Sequence, residues 1–182
     1  KKPYRIGRAG PRKKDLKMAY TCKMCDTKCS GNFTTEDVEI IAYGQKSAKK
    51  TIHFCSRECQ WDCAREGDIK EFNNSIDLSN KIIGQLVPVV CAAMRNGEDV
   101  SEMVAVIRAH KTVNKFLKSV MTREMTNAEI MAEAFNVRGV VNTTAEKVLE
   151  GSNHEPIYDH LTQIIVMMTE VIEGCWDHWA CD

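Results

Sequence analysis

Two cysteine pairs carry the strongest chemical signal in the chain: Cys22 and Cys25, and about thirty residues further on Cys55 and Cys59. Thiolates bind Zn²⁺ tetrahedrally, and a pair separated by two or three residues lets one turn of backbone offer two sulfurs to a single ion. The first pair has the gap of a zinc knuckle. The second has the i, i+4 gap of a helical turn, so it suits a helix start at which Ser56 or Thr51 caps the exposed amides. The spacing therefore points to a structural zinc site with Cys22, Cys25, Cys55 and Cys59 as ligands. Two disulfides, or unrelated buried thiols, are the competing account. Cys29 and Cys63 are further thiols within reach, and spacing alone leaves open whether either replaces one of the four.

A second, looser constellation stands near the end of the sequence. Cys175, His178 and Cys181 follow one another at three-residue steps, and His110 or His160 would supply a fourth ligand. The competing reading is that this segment serves to pack Trp176 and Trp179. His53, beside Phe54, is read as a surface residue or a support to the ligands rather than a ligand. No motif for catalysis stands in the chain: there is no Gly-rich phosphate loop, no nucleophile elbow, no His-Glu-x-x-His helix, and no His-x-Glu ahead of Pro-Cys-x-x-Cys. A zinc ion held by four thiolates has no open position for water or substrate, so the expectation is a protein that is not an enzyme.

The sulfurs must be positioned by short elements. Asp26 to Asn32 is turn-rich, Val38 to Tyr43 reads as a strand, Gly44 to Lys49 as a polar loop, and Thr51 to Phe54 as the returning strand. This hairpin delivers Phe54 to a small core and Cys55 to its ligand position. Ser56 to Glu66 reads as a helix closed by Gly67, with Trp61 available to pack, or alternatively to stack on a base. The Cys-x-x-Cys, the β-rich middle and Phe54-Cys55-Ser56-x-x-Cys59 resemble the FCS, MYM and TRASH family of treble-clef zinc fingers, which includes fingers in late transcription factors of large DNA viruses. The resemblance covers residues 20–66. It implies that a knuckle and a helix start supply Cys22, Cys25, Cys55 and Cys59 to one Zn²⁺, and that the protein is associated with nucleic acid or transcription.

The formal net charge of the 182 residues is zero, yet it is distributed unevenly. Residues 1–20 carry eight basic residues against Asp15, residues 21–70 balance eight against eight, and residues 71–182 carry nine basic against sixteen acidic. An arm rich in Gly, Pro and Arg or Lys has no apolar periodicity and reads as extended. Arg5, Arg8, Arg12, Lys13 and Lys14 would contact phosphate by displacing condensed counterions, or would lie on an acidic protein surface.

From residue 74 the pattern turns helical. Leu78 to Met94 has apolar residues at helical spacing, with Pro88 expected to kink or split it, and Asn96-Gly97 breaks the chain. Val100 to His110 continues after a break at Lys111-Thr112 into Val113 to Val120. Thr126-x-x-Glu129 and Thr143-x-x-Glu146 both fit capping boxes, predicting helix starts at Asn127 and Thr144, and Pro156 suits the first turn of a last helix. Five or six short helices would share one core, with the methionines as filler or as an adaptable binding surface.

Nine cysteines in metal spacing or scattered through helical sequence fit a reducing compartment better than a secreted disulfide scaffold. No stretch reads as a signal peptide or as eighteen uninterrupted apolar residues, so no membrane span is expected, and the location inferred is intracellular, in nucleus or cytoplasm, or in a virion. The first residue is not Met, which fits a chain that begins inside a longer or processed one. The expected organisation is a basic arm (1–20), a four-cysteine, treble-clef-like α+β zinc finger (21–70) and a helical bundle (71–182). The expected function is binding of nucleic acid or transcription partners. The alternative is a structural component of a large assembly, such as a minor capsid or scaffold protein of a large DNA virus.

Overall fold

The computed structural model describes residues 20–29, 34–40, 48–151, 155–174 and 176–181. Arg5, Arg8, Arg12, Lys13 and Lys14 of the arm, and Cys175, lie outside the described residues. The chain divides into two compact units, Lys1–Cys63 and Ala64–Asp182. The division falls inside a helix, ahead of the boundary after residue 70 expected from the sequence.

The N-terminal unit is built from two antiparallel hairpins. Strands β1 (Tyr20–Thr21) and β2 (Lys28–Cys29) pair Tyr20 with Cys29 and Thr21 with Lys28. Strands β3 (Thr34–Ile40) and β4 (Ala48–Phe54) pair from Thr34 opposite Phe54 to Ile40 opposite Ala48. The expected hairpin is present, but β3 starts before Val38 and β4 before Thr51. The apolar, β-branched residues mark only part of each strand, while the backbone ladder continues through polar ones such as Lys49 and Lys50.

Helix α1 runs from Arg57 to Arg95 without interruption. This corrects the expectation that Gly67 would end a first helix. Gly67 is exposed, with space around it for a Cβ. A glycine there costs about 1 kcal/mol relative to alanine, and the next turns offset this by burying Phe72 and Ile76. Pro88 does not split the helix either. It sits exposed, four residues after Gly84, so the carbonyl deprived of its amide partner belongs to an exposed residue. The true stop is Asn96-Gly97. Gly97 adopts φ 75°, with its amide on Met94 O at 3.2 Å and the Glu98 amide on Ala93 O at 3.0 Å, the paired bonds of a Schellman cap.

Three further helices complete the C-terminal unit: α2 (Ser101–Met121), α3 (Asn127–Gly151) and α4 (Glu155–Ile172), followed by a short 3₁₀ turn at Asp177–Trp179. Among the described residues, four long helices thus replace the five or six short ones expected. The break foreseen at Lys111-Thr112 is absent: α2 is continuous there, its apolar face running on from Val106 and Ala109 to Val113 and Phe116, and the Thr112 hydroxyl is accommodated by donating to Arg108 O at 2.9 Å. The capping box at Thr126 forms: the Thr126 amide donates to Glu129 Oε2 at 2.8 Å, and the Glu129 amide to Thr126 Oγ1 at 3.3 Å. The matching pattern at Thr143 does not start a helix. There the hydroxyls of Thr143 and Thr144 donate back to Gly139 O and Val140 O, at 3.0 and 2.8 Å.

The core explains this choice. Ile130, Ala134, Val137, Val141, Ala145 and Val148 recur at three- and four-residue steps along α3, and interrupting the helix at Thr144 would break that stripe. It packs with Val106, Val113, Phe116, Leu117 and Val120 of α2 and with Leu161, Ile164, Met168 and Val171 of α4. Ala109 and Ala134, each fully buried, permit close approach of the backbones. By length and composition alone α1 contains an 18-residue window apolar enough to cross a membrane, with mean hydropathy 1.3 and 28% of that window buried. Lys81 and polar residues such as Ser79, Asn80 and Gln85 interrupt it. Length and composition give no membrane assignment.

Candidate metal centre

Cys22 and Cys25 lie in the turn between β1 and β2. Their loop is closed by backbone bonds from Cys22 N to Thr27 O (2.9 Å) and from Asp26 N to Cys22 O (3.1 Å), with Asp26 in the left-handed region at φ 57°. Aspartate tolerates that conformation better than most residues, which is why a tight knuckle closes here without glycine. The Lys23 amide donates to His53 O at 2.9 Å and so ties the knuckle to β4. Cys55 follows β4 directly, and Cys59 stands in the first turn of α1. Of the two caps expected there, Ser56 and Thr51, it is Ser56 whose Oγ accepts the Cys59 amide, at 3.2 Å.

These four sulfurs all lie within 4.8 Å of one another. Cys25 Sγ is 3.5 Å from Cys55 Sγ, and Cys55 Sγ is 3.3 Å from Cys59 Sγ. A disulfide would hold its sulfurs at about 2.05 Å, and Cys22, Cys25, Cys55 and Cys59 are free thiols, so the disulfide account falls. Tetrahedral sulfurs on one zinc ion stand about 3.8 Å apart, given a bond of about 2.3 Å, and the observed cluster brackets that spacing. The four cysteines could hold a metal ion. Cys29 and Cys63 do not join the group among the described residues; Cys29 Sγ instead lies 3.3 Å from Thr27 O.

The electrostatics of the cluster are uneven. Burial works against ionising Cys22, but amides of Cys25, Cys55 and Met24 around its sulfur outweigh it and bring the thiol down to about 6. The Thr27 side chain, 3.2 Å from Cys25 Sγ, leads the interactions that lower Cys25. Cys59 and Cys25 crowd Cys55 from both sides and push it up to about 12. Four adjacent thiolates repel one another, and a divalent cation at their centre removes that penalty. Cys22 is buried and Cys25 exposed, so the cluster lies at the surface of its unit. Among the side chains described in the unit only Cys22 and Phe54 are fully buried.

His53 is not in the sulfur group; its ring lies 3.9 Å from that of Tyr20. Arg57 sits over Trp61 at 5.0 Å. At the other end of the chain His178 Nε2 is 2.6 Å from Asp68 Oδ2, which also accepts from Trp179 Nε1 at 2.8 Å. Trp176 and Trp179 are buried against Phe72, with ring centroids at 4.5 and 5.5 Å. The packing reading of this segment is the one the described residues display. No second cluster of metal ligands forms among them: Cys181 is exposed, and His110 and His160 stack on each other elsewhere in the unit. The role of Asp68 had no signal in the sequence, since its partners stand more than a hundred residues away. Comparison of the chain with protein-family models, with curated proteins and with solved structures finds no match in any of the three.

Proposed function

We propose that this is a non-enzymatic binding protein whose N-terminal unit is a treble-clef-like finger stabilised by Zn²⁺ on Cys22, Cys25, Cys55 and Cys59. The observation that carries the reading is the convergence of four sulfurs, two from a knuckle and two from a helix start, at the spacing of one tetrahedral ion. An all-thiolate, exchange-resistant donor set favours zinc over calcium or magnesium, which prefer oxygen. With four protein ligands the ion keeps no position for a substrate, so its role is structural. The partner proposed is nucleic acid or the transcription machinery, approached through Arg5, Arg8, Arg12, Lys13 and Lys14, in nucleus or cytoplasm.

Two measurements test this. Elemental analysis of protein purified without chelator should find one zinc per chain; no metal, or bridged thiols by mass spectrometry, would overturn the finger. Binding to a mixed-sequence duplex should weaken with salt at a logarithmic slope of about −4.5, or about −3.5 for a single strand, the values for five neutralised phosphates, and should vanish on deleting residues 1–14. A second reading, a structural component of a large assembly such as a virion, is favoured by a different observation. Val87 and Met94, seven residues apart and so on one face at the end of α1, are 41 and 62% exposed, an apolar strip that suits a protein neighbour better than phosphate. Retention of the chain in a particle after nuclease treatment would select that reading over the first.

A further inference from the structure

Helix α1 meets the rest of the C-terminal unit along a face that mixes apolar and polar residues. Phe72, Ile76 and Ile82 are buried in the core, and between them Ser75 and Ser79 are buried as well. Ser79 Oγ lies 3.2 Å from His110 Nδ1 on α2, and Ser75 Oγ lies 3.4 Å from His160 Nε2 on α4. Next to them Asn114 Nδ2 on α2 donates to Asn80 Oδ1 at 2.9 Å. The two imidazoles stack, with centroids 5.1 Å apart and planes 10° from parallel. They are 0 and 3% exposed, and His110 Nε2 and His160 Nδ1 have no hydrogen-bond partner. Rings held nearly parallel do not aim their in-plane lone pairs at a common point, so the pair is not arranged as two ligands of one ion.

We propose that His110 and His160 form an acid-operated latch, fastening α1 to α2 and α4 while both rings are neutral and releasing it when they take up protons. A neutral imidazole tolerates a hydroxyl partner and a buried, unpaired nitrogen; an imidazolium carries two N–H donors and a charge, and here it would face a second imidazole across the stack. The charged groups around the pair do not relieve this. Among the described residues of the unit, the buried polar side chains are Arg65, Ser75 and Ser79 on α1, His110 and Asn114 on α2, Thr144 on α3 and His160 on α4. Arg65 is engaged with His178 O, and Thr144 with its own helix. Glu71 of α1 and Glu170 of α4 line the groove beside His160 but are exposed, and Lys111 next to His110 is exposed too. His178 differs: it rests on the Asp68 carboxylate, a partner that an imidazolium keeps.

Burial, and then the neighbouring His160, hold His110 down at about 4, and burial lowers His160. Both rings therefore bind protons more readily once α1 has lifted away. The latch is fully closed above the ordinary histidine value near 6.5 and weakens as pH falls from there toward the folded value. At pH 4.5, His110 alone raises the opening equilibrium roughly fifty-fold over that at pH 7.

Hydrogen exchange on the full, metal-loaded chain, corrected for intrinsic rates, reads this directly. Protection in α1 around Phe72 to Ile82 should fall at least ten-fold from pH 7 to 4.5, ahead of α3 and α4. In the H110Q/H160Q variant, whose amides can still bond the serines and cannot charge, the change should shrink to under three-fold. Where that variant does not fold, an NMR titration of the wild-type imidazole carbons decides, because a latch requires both rings to titrate clearly below 6.5. Unchanged α1 protection, an equal loss in the folded variant, or imidazoles that titrate near 6.5 in the native state would each overturn the proposal.

Discussion

The cysteine cluster and the histidine seam place similar numbers of polar side chains in close contact, but in opposite surroundings. In the N-terminal unit four sulfurs gather at a surface where, among described side chains, only Cys22 and Phe54 are fully buried. In the C-terminal unit two imidazoles sit inside a core that contains Phe72, Phe116, Leu117, Leu161, Ile164 and Trp179. The first arrangement could hold a cation, which would relieve the repulsion among adjacent thiolates. The second excludes charge, because the surrounding burial already stabilises the fold and an ion would only add desolvation cost. Polar groups clustered at a surface can be compensated by an ion from solvent, whereas the same kind of groups inside a large core must stay neutral and paired.

The comparison breaks most sharply on metal removal. In the proposed finger, structural zinc would contribute about 10–16 kcal/mol, so a strong chelator, or Cys59→Ser, should abolish exchange protection in β4 and around the knuckle. Protection in α2, α3 and α4 should stay unchanged; a common collapse would show that the two units do not fold separately. The converse experiment is Leu117→Ala. This side chain is fully buried, and its truncation should cost about 2–5 kcal/mol in urea unfolding followed by far-UV circular dichroism, with metal content unaltered.

Smaller effects sharpen the picture within the helical unit. Asp68→Ala removes the acceptor shared by His178 and Trp179, and should cost about 1–3 kcal/mol, with a shift in tryptophan emission as Trp179 loses its bond. Thr126→Ala should cost about 1 kcal/mol through loss of the formed capping box. Thr143→Ala, at the matching sequence pattern, should change stability by less than about 0.5 kcal/mol, because its exposed hydroxyl only bonds back to Gly139 O. Equal costs for the two threonines would contradict the helix boundaries described above.

The sulfur site was legible because its information is local. Each pair lies within one turn of backbone, so spacing and residue type suffice for Cys22 with Cys25 and for Cys55 with Cys59, and the cap narrows to Ser56 or Thr51. The helix boundaries were less so. Gly67, Pro88, Thr112 and Thr143 are genuine stop or start signals in isolation, and each was overridden inside a continuous helix. Such signals are worth about 1 to 3 kcal/mol each, less than the burial of an unbroken stripe of apolar residues such as Ile130 to Val148. Asn96-Gly97 and Thr126 succeeded because no buried stripe crosses them.

By itself the amino-acid order determined that two thiol pairs would each present their sulfurs together, that a hairpin would join them, and that the remainder would be helical. Only the tertiary structure decided that the pairs meet, that His110 and His160 stack beside two serines of α1, and that Asp68 holds the end of the chain. The physical reason is separation along the sequence. Periodicity and spacing report which residues share a turn or a face, whereas a contact such as Ser75 with His160, 85 residues apart, exists only because packing of the apolar faces has already fixed where each helix lies.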